Sequence, residues 1–356
     1  MRRLLIAVAA LLVGAVQAAF AQPDLPLDKG LPVLVKAATA YVEMTGFDEN
    51  ASTFRATVDL RLRWQDLRQR RPPDEANDPP RVFRGDDARL QMKRIWIPPV
   101  EIANQAGGDN GGGDIGLRIF PDGQVELTRR VTGEFETVYD VSRFPFGEQL
   151  LQLRLVVRNL TAGQVDLTFD QDDLDYSRAA PGAALDGWDL RFVNLRVGPL
   201  PGWYGGAHAT LTAALEIGRQ TGPAIAAIFV PLLASLLIPI LTIWLNKVED
   251  GGFKVDAFEL VNIVIGGLFA VIALNFTVNS VFEVLVTGDN PVNRLFTLNY
   301  VTLAVCLAVN VLLGRFNLAA RLAGPHVQEQ AYLFLMWAIP AMVLLTAASI
   351  IFVAIA

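Results

Sequence analysis

The stretch FELVNIVIGGLFAVIALNFTVNSVF, from Phe258 to Phe282, decides how the chain folds. Rising about 1.5 Å per residue, such a helix is long enough to cross a bilayer. It nevertheless carries Asn262, Asn275, Thr277, Asn279 and Ser280, with Glu259 at its start. An unpaired amide or carboxylate in hydrocarbon is costly, so these groups are expected to face protein or water. Steps of four and three from Asn262 mark a row: Asn262, Gly266, Phe269, Ala273, Phe276 and Ser280. Turned toward an axis by identical copies, that row lines a tube with polar mouths and a hydrophobic constriction, which can gate by dewetting. Turned inward within one subunit, it is the core stripe of a four-helix bundle, and periodicity alone leaves both readings open. Asn275 and Asn279 lie one turn apart on another face and are read as hydrogen-bonding to neighbouring helices. Repeated around an axis, Glu259 forms a carboxylate ring that concentrates cations. In a single helix it stabilises the N-terminus through the macrodipole.

Three further apolar segments flank this one. Helices are predicted over 222–245, 257–282, 294–314 and 331–355, giving a membrane domain over 219–356. Pro223, Pro231 and Pro239 in the first helix imply neighbours that satisfy the freed carbonyls, as in a packed bundle. Lys247, Lys254, Arg315 and Arg321 fall in the connections 246–256 and 315–330, against Arg294 near the opposite loop. The positive-inside bias places those connections in the cytoplasm and both the N-terminal domain and the C-terminus outside it.

Ahead of the helices the chain changes character. Of its 356 residues 52% are hydrophobic, too many for an ordinary soluble protein, yet most charges precede residue 220. The formal net charge of −6 argues against nucleic acid as a partner and is compatible with small cations. Cys306 is the sole cysteine, so no intrachain disulfide and no paired-cysteine zinc site is possible. Arg2, Arg3 and an apolar run to Ala19, followed by Ala19-Phe20-Ala21, read as a signal peptide over 1–21. The alternative for that run is a fifth membrane helix. Residues 22–218 carry strand patterns. In FRATVDLRLRW at 54–64 the apolar side chains alternate with polar ones throughout, and 151–157 and 211–217 repeat the pattern. In 188–195 the phase slips near Phe192 and Val193, as at a bulge. Turn-rich stretches at 70–80, 107–114 and 121–123 separate the strands. The pattern predicts an antiparallel, immunoglobulin-like β-sandwich of about ten strands, followed by an all-α domain of four transmembrane helices.

Several motifs together resemble the bacterial pentameric ligand-gated ion channels of the Cys-loop receptor superfamily. Tyr139-Asp-Val-Ser-Arg-Phe-Pro-Phe-Gly-Glu-Gln149 is similar to the signature loop, with Thr137 and Leu151 at the two cysteine positions and Gly147 where an aspartate is usual. Trp64-Gln-Asp66, Trp96-Ile-Pro98 with Asn104 after it, Gly187-Trp188-Asp189, Ile217-Gly-Arg-Gln220 with Pro231, and Ala273-Leu-Asn275-Phe276 resemble further family stretches in the right order. The resemblance implies a homopentamer in a lipid bilayer, with Glu259, Asn262, Gly266, Phe269, Ala273, Phe276 and Ser280 lining a central pore that passes monovalent cations. It implies coupling between the domains through the first turn (Asp48, Glu49), the signature loop (Arg143, Phe144, Pro145, Phe146) and Arg219, and Arg219 is expected to pair with an acid of that turn or nearby. For the agonist, a small molecule or the proton, it points to Trp203, Tyr204, Asp59 and Asn104 between neighbouring copies. A cationic amine would use Trp203 through a cation–π contact; otherwise Trp203 and Tyr204 simply pack their loop. With only two histidines, proton sensing would lean on shifted carboxylates. The run Asp170 to Asp175, with Asp172, Asp173 and Asp175, is either a solvated acidic loop or a site for a modulatory Ca²⁺ ion; no other cofactor is expected.

The rival reading is a non-conducting sensor whose helices only anchor the sandwich. There is no nucleophile elbow or metal-ligand cluster, and the glycine-rich 107–113 lacks the Lys-Ser/Thr of a phosphate loop, which sets an enzyme aside.

Overall fold

The computed structural model describes residues 24–27, 29–107, 113–244, 247–249, 252–254, 257–286 and 288–355. The signal-peptide reading of 1–21 lies outside the described residues. The strand pattern at 54–64 becomes β2 (Thr53–Gln65), hydrogen-bonded to β1 (Val33–Asp48) on one side and β7 (Gln124–Glu136) on the other. Its inward residues Phe54, Ala56, Val58, Leu60, Leu62 and Trp64 are all buried.

With β3 (Arg81–Arg84), β5 (Gln105–Ala106), β6 (Ile115–Ile119) and β9 (Val165–Thr168) these strands form the first sheet, ordered β3-β6-β7-β2-β1-β9 with β5 on β7. The second sheet is ordered β10-β11-β8-β4, from β4 (Val100–Ile102), β8 (Glu148–Val157), β10 (Trp188–Pro201) and β11 (Ala207–Arg219). The register of β10 on β11 shifts between Leu190 and Val193, where the sequence phase slips. One expectation is corrected: the sandwich is not purely antiparallel, because β1 pairs with β9 in parallel. One side chain stitches the sheets together. The buried Tyr41 hydroxyl of β1 lies 3.0 and 3.1 Å from the carbonyls of Leu151 and Ala213 in the opposite sheet. Burial raises its pKa well above the ordinary phenol value. Trp64 and Trp96, from two of the quoted motifs, meet edge to face at 6.1 Å.

Two short helices, α1 (Gly85–Met92) and α2 (Gln171–Tyr176), decorate the sandwich. Four long helices follow: α3 (Thr221–Trp244), α4 (Ala257–Val281), α5 (Pro291–Arg315) and α7 (Pro325–Ile355), with the short α6 (Leu318–Ala323) before the last. A β12–β13 hairpin (Lys247–Glu249, Gly252–Lys254) joins α3 to α4. The third and fourth long helices begin earlier than the expected 294 and 331. Asn290 caps the first of them by accepting a hydrogen bond from the Asn293 amide, and Pro291 opens it.

Proline shapes the bundle. Ahead of Pro231, α3 carries a π turn over Ile225–Phe229. Pro340 in α7 has no N–H to give the carbonyl of Met336 four residues earlier. That carbonyl instead accepts the indole N–H of Trp244 at 3.0 Å, while the Tyr332 hydroxyl donates to the Ile243 carbonyl. The inner end of α3 is thereby fastened to α7 at two points. Inside the bundle Asn299 of α5 donates to Ser235 of α3, and Asn310 to the Thr242 carbonyl at 3.3 Å, so the buried amides serve helix–helix contacts.

Candidate functional site

Where sandwich and helices meet, five residues from three separate stretches gather around Arg219, the last residue of β11. Its guanidinium forms an ion pair with Glu49 in the turn after β1, and its Nη2 donates to the Tyr139 hydroxyl at 3.0 Å. The same guanidinium lies over the Trp188 ring at 4.4 Å and the Phe144 ring at 5.1 Å. Phe47 closes the cluster edge to face, 5.7 Å from Tyr139 and 5.4 Å from Trp188. Burial opposes the Arg219 charge, yet Glu49 and Tyr139 hold its pKa above the ordinary value. Burial, reinforced by the Glu49 charge, pushes the Tyr139 phenol up. The pairing expected for Arg219 is therefore present, and its acid is Glu49. Asp48 does something else: its Oδ1 accepts the backbone amides of Asn50 and Ala51 and shapes the turn.

The signature loop drives two aromatic rings into the helices. Phe144 belongs to the buried core of the helical domain and meets Phe282, just past the end of α4, at 5.4 Å. Phe146 meets Phe229 of α3 at 5.8 Å. Pro145 between them is buried, whereas Arg143 is exposed. Amides of Phe146 and Gly147 both donate to the Arg143 carbonyl, at 2.8 and 3.1 Å. A Cβ at Gly147 would stand 2.9 Å from that of Arg143, so a side chain here would disturb the tight loop. At the loop neck the Thr137 hydroxyl donates to the Leu150 carbonyl at 2.8 Å, beside Leu151, which is fully buried. After α4, Gly288 lies so close to Val141 of the loop that a Cβ would collide with its Cγ2.

On α4 the buried residues Leu260, Gly267, Val271 and Val278 form one row against the other helices. A Cβ at Gly267 would come 2.7 Å from Cγ2 of Ile238 in α3 and 3.7 Å from Leu303 in α5, so glycine sets this close approach. Asn262, Gly266, Phe269, Ala273, Phe276 and Ser280 are all exposed on the opposite side, Phe269 at 69% and Phe276 at 76%. Within one subunit the row is thus not a core stripe. Asn275 donates to the Tyr300 hydroxyl of α5 at 3.4 Å, and Asn279 to Asn275. Two expectations need correction: Asn279, read as bonding to a neighbouring helix, bonds within its own, and the hydroxyls of the polar end are satisfied locally. The Thr277 and Ser280 hydroxyls donate to the Ala273 and Thr277 carbonyls of their own helix, so they do not demand water. Glu259 falls in the first turn of α4, but its side chain lies outside the described residues.

The agonist candidates separate. Trp203 stands 87% exposed in the turn between β10 and β11; the side chain of its neighbour Tyr204 lies outside the described residues. Asp59 is held by Arg130 through two bonds of 2.7 and 2.8 Å, beside a cavity of about 330 Å³ that Arg84, Asp114 and Thr128 also line. Asn104 is spent on the backbone: it donates to the Glu136 and Gln152 carbonyls and accepts from the Arg154 amide. As a ligand group it is withdrawn. The acidic run is also reassigned. Buried Asp173 pairs with Arg61 and Arg63, Asp172 lies 3.4 Å from Arg63, and Asp175 accepts from Gln171. Among the described residues no three His, Cys, Asp or Glu side chains are grouped to hold a metal ion. These arginine partners were missed from sequence because they sit more than a hundred residues upstream.

Residues 12–221 match the family described as neurotransmitter-gated ion-channel ligand binding domain. The chain belongs to that family. Its four long apolar helices make this family member a multi-pass membrane protein with an extracellular sandwich domain. It is 24% identical over 250 residues to a proton-gated ion channel of Gloeobacter violaceus, covering 70% of this chain and 64% of that one. It is 24% identical over 230 residues to the rat glycine receptor subunit beta, covering 62% of this chain and 44% of the relative. It is 32% identical over 140 residues to the bovine gamma-aminobutyric acid receptor subunit rho-2, covering 38% and 27%. The chain thus spans less than two thirds of the length of each of these relatives.

Proposed function

We propose that this chain is one subunit of an agonist-gated, cation-preferring channel, a homopentamer with α4 from each copy lining the pore. The observation that carries the reading is the exposed row Asn262 to Ser280, opposite the buried row by which α4 packs. Five such rows around an axis give amides at the inner end and phenylalanine bands above, with Glu259 at the inner mouth drawing cations. Similarity to a proton-gated channel and to glycine and gamma-aminobutyric acid receptor subunits supports either a proton or a small-molecule agonist. Exposed Trp203 of one copy and the Asp59–Arg130 pair of the next are the residues to which we assign a small molecule. We place the channel in a bacterial inner membrane, with the sandwich and the C-terminus on the periplasmic side.

Coupling then runs through the Arg219 cluster. Agonist rearrangement of the sandwich reaches Glu49 and the signature loop, and Phe144 and Phe146 carry it to α4 and α3. If each of five subunits favours the open state about tenfold, roughly 7 kcal/mol is available to shift a closed-biased equilibrium.

Recording from purified protein in planar bilayers, while stepping pH and screening amines and amino acids, tests the reading. Agonist-dependent current with a cation-selective reversal potential, weakened by Glu259→Gln, is expected. Silence under every condition favours the anchored-sensor reading, and anion selectivity sinks the role given to Glu259. Arg219→Ala is expected to raise the half-activating agonist dose by about tenfold, the equivalent of about 1.4 kcal/mol of lost coupling. An unchanged dose–response curve removes Arg219 from the coupling path.

A further inference from the structure

The sandwich holds one histidine, His208, which neither the junction nor the pore row uses. It lies near the start of β11, at the foot of the turn that carries Trp203. That turn closes on itself: the Gly202 amide donates to the Gly206 carbonyl at 2.7 Å, the Gly206 amide to the Trp203 carbonyl at 3.1 Å, and Gly205 takes φ +78°. Trp203 stands 87% exposed at the tip, so the indole itself gives the turn little packing. What fixes the turn must act at its foot, where it meets the connection between β8 and β9. The Ala162 amide donates to the Ala207 carbonyl at 2.7 Å, and Nδ1 of His208 lies 2.8 Å from the Leu160 carbonyl. A carbonyl only accepts, so Nδ1 carries the proton, in the neutral and the cationic ring alike. The other edge of the ring faces the turn: a Cβ at Gly202 would stand 2.9 Å from Nε2 and 3.0 Å from Cδ2. Glycine is what lets this backbone lie against the imidazole. Leu160 and Ala162 are themselves packed against the sandwich core, which makes 160–162 a fixed platform.

We infer that His208 is a positioning residue for Trp203: set between the Gly202–Gly206 turn and the 160–162 platform, it fixes where the turn presents the exposed indole. The donor at Nδ1 does the fastening, not the bulk of the ring. The agonist role of Trp203 rests on the reading above; the fastening of its turn does not.

The test is hydrogen exchange followed by mass spectrometry, on the full-length, detergent-purified protein and three variants. Asparagine places an amide N–H where Nδ1 stands, glutamine places one where Nε2 stands, and alanine offers neither. His208→Ala and His208→Gln are expected to speed exchange in 202–207 and 160–163 by about fivefold, the scale of one hydrogen bond of ordinary net worth. His208→Asn should stay within about twofold of the unaltered protein. Unchanged exchange of β2 verifies that the sandwich is folded, and should alanine disturb the fold, the contrast between asparagine and glutamine decides alone. Full protection of the turn in His208→Ala, equal loss in His208→Asn, or protection kept as well by glutamine as by asparagine overturns the proposal. A Trp203→Ala dose–response identical to that of the unaltered protein would withdraw the agonist role of Trp203, and the exchange result would still decide the role of His208.

Discussion

α4 and α7 both present bare phenylalanines, yet the two exposed faces are built for different surroundings. Phe269 and Phe276 on α4 are 69% and 76% exposed; Phe334 and Phe352 on α7 are 70% and 72% exposed. Exposure of large apolar groups therefore does not tell the two apart. Nor do hydroxyls: Thr277 and Ser280 on α4, like Thr346 on α7, donate to carbonyls of their own helix, an arrangement hydrocarbon tolerates. The difference is Asn262, an exposed amide whose donors and acceptor a single helix cannot all satisfy; from 331 onward α7 exposes no amide and no charge. Coverage points the same way. Only 17% of the apolar span of α4 is buried within the subunit, against 28% for α7 and 39–44% for α5 and α3. The helix that exposes an unsatisfied amide is also the one least covered within the subunit, as expected of a helix that packs against other copies.

That contrast can be broken by substitution. The largest effect is expected from Phe269→Ser, which wets the proposed constriction: resting current in bilayers should rise by about tenfold or more, whereas Phe334→Ser on α7 should leave it near its starting value. Equal responses would mean the two faces see the same medium. A smaller effect is expected of Asn262→Leu, which should cut single-channel conductance, while Ser349→Leu on the exposed side of α7 should not. A conductance indifferent to Asn262 would deny the amide a place beside permeating ions. The mildest is a control far from both helices. Lys36 and Arg63 hold the Asp170 carboxyl well below its ordinary pKa, against the opposing pull of burial. A group depressed on folding adds stability above its unfolded pKa of about 4, and that stability fades as pH falls toward the folded value. Asp170→Asn should accordingly lower the melting temperature by roughly 2–4 °C at pH 7, with the gap to the unaltered protein closing below about pH 4. Channel currents should keep their α4–α7 contrast throughout.

Elements with a strong period were legible. Strict alternation in 54–64 gave β2, the phase slip near Val193 gave the irregular register on β11, and unbroken apolar runs gave four helices. Helix starts were misplaced although the signals were there: Asn290 before Pro291, and Gly324, at φ +96°, before Pro325. What period cannot show is partnership at long range. The parallel pairing of β1 with β9 has no turn to announce it. The aspartates of 170–175 looked free because their arginines lie on β2, and Asn104 looked available because the carbonyls it bridges lie on β7 and β8. The signature-loop phenylalanines stand at the junction, as expected of coupling candidates, but nothing local in 143–146 says that one of them packs into the core of the other domain.

The burial of Phe144 among the helices bears on how the molecule can be dissected. Severing the chain near residue 220 to obtain the sandwich by itself would strip Phe144 and Phe146 of Phe282 and Phe229 and leave two greasy plugs at one end of an otherwise water-loving fragment. Such a fragment would be prone to stick to its own kind through that end, and polar replacements at 144 and 146 would be the natural remedy.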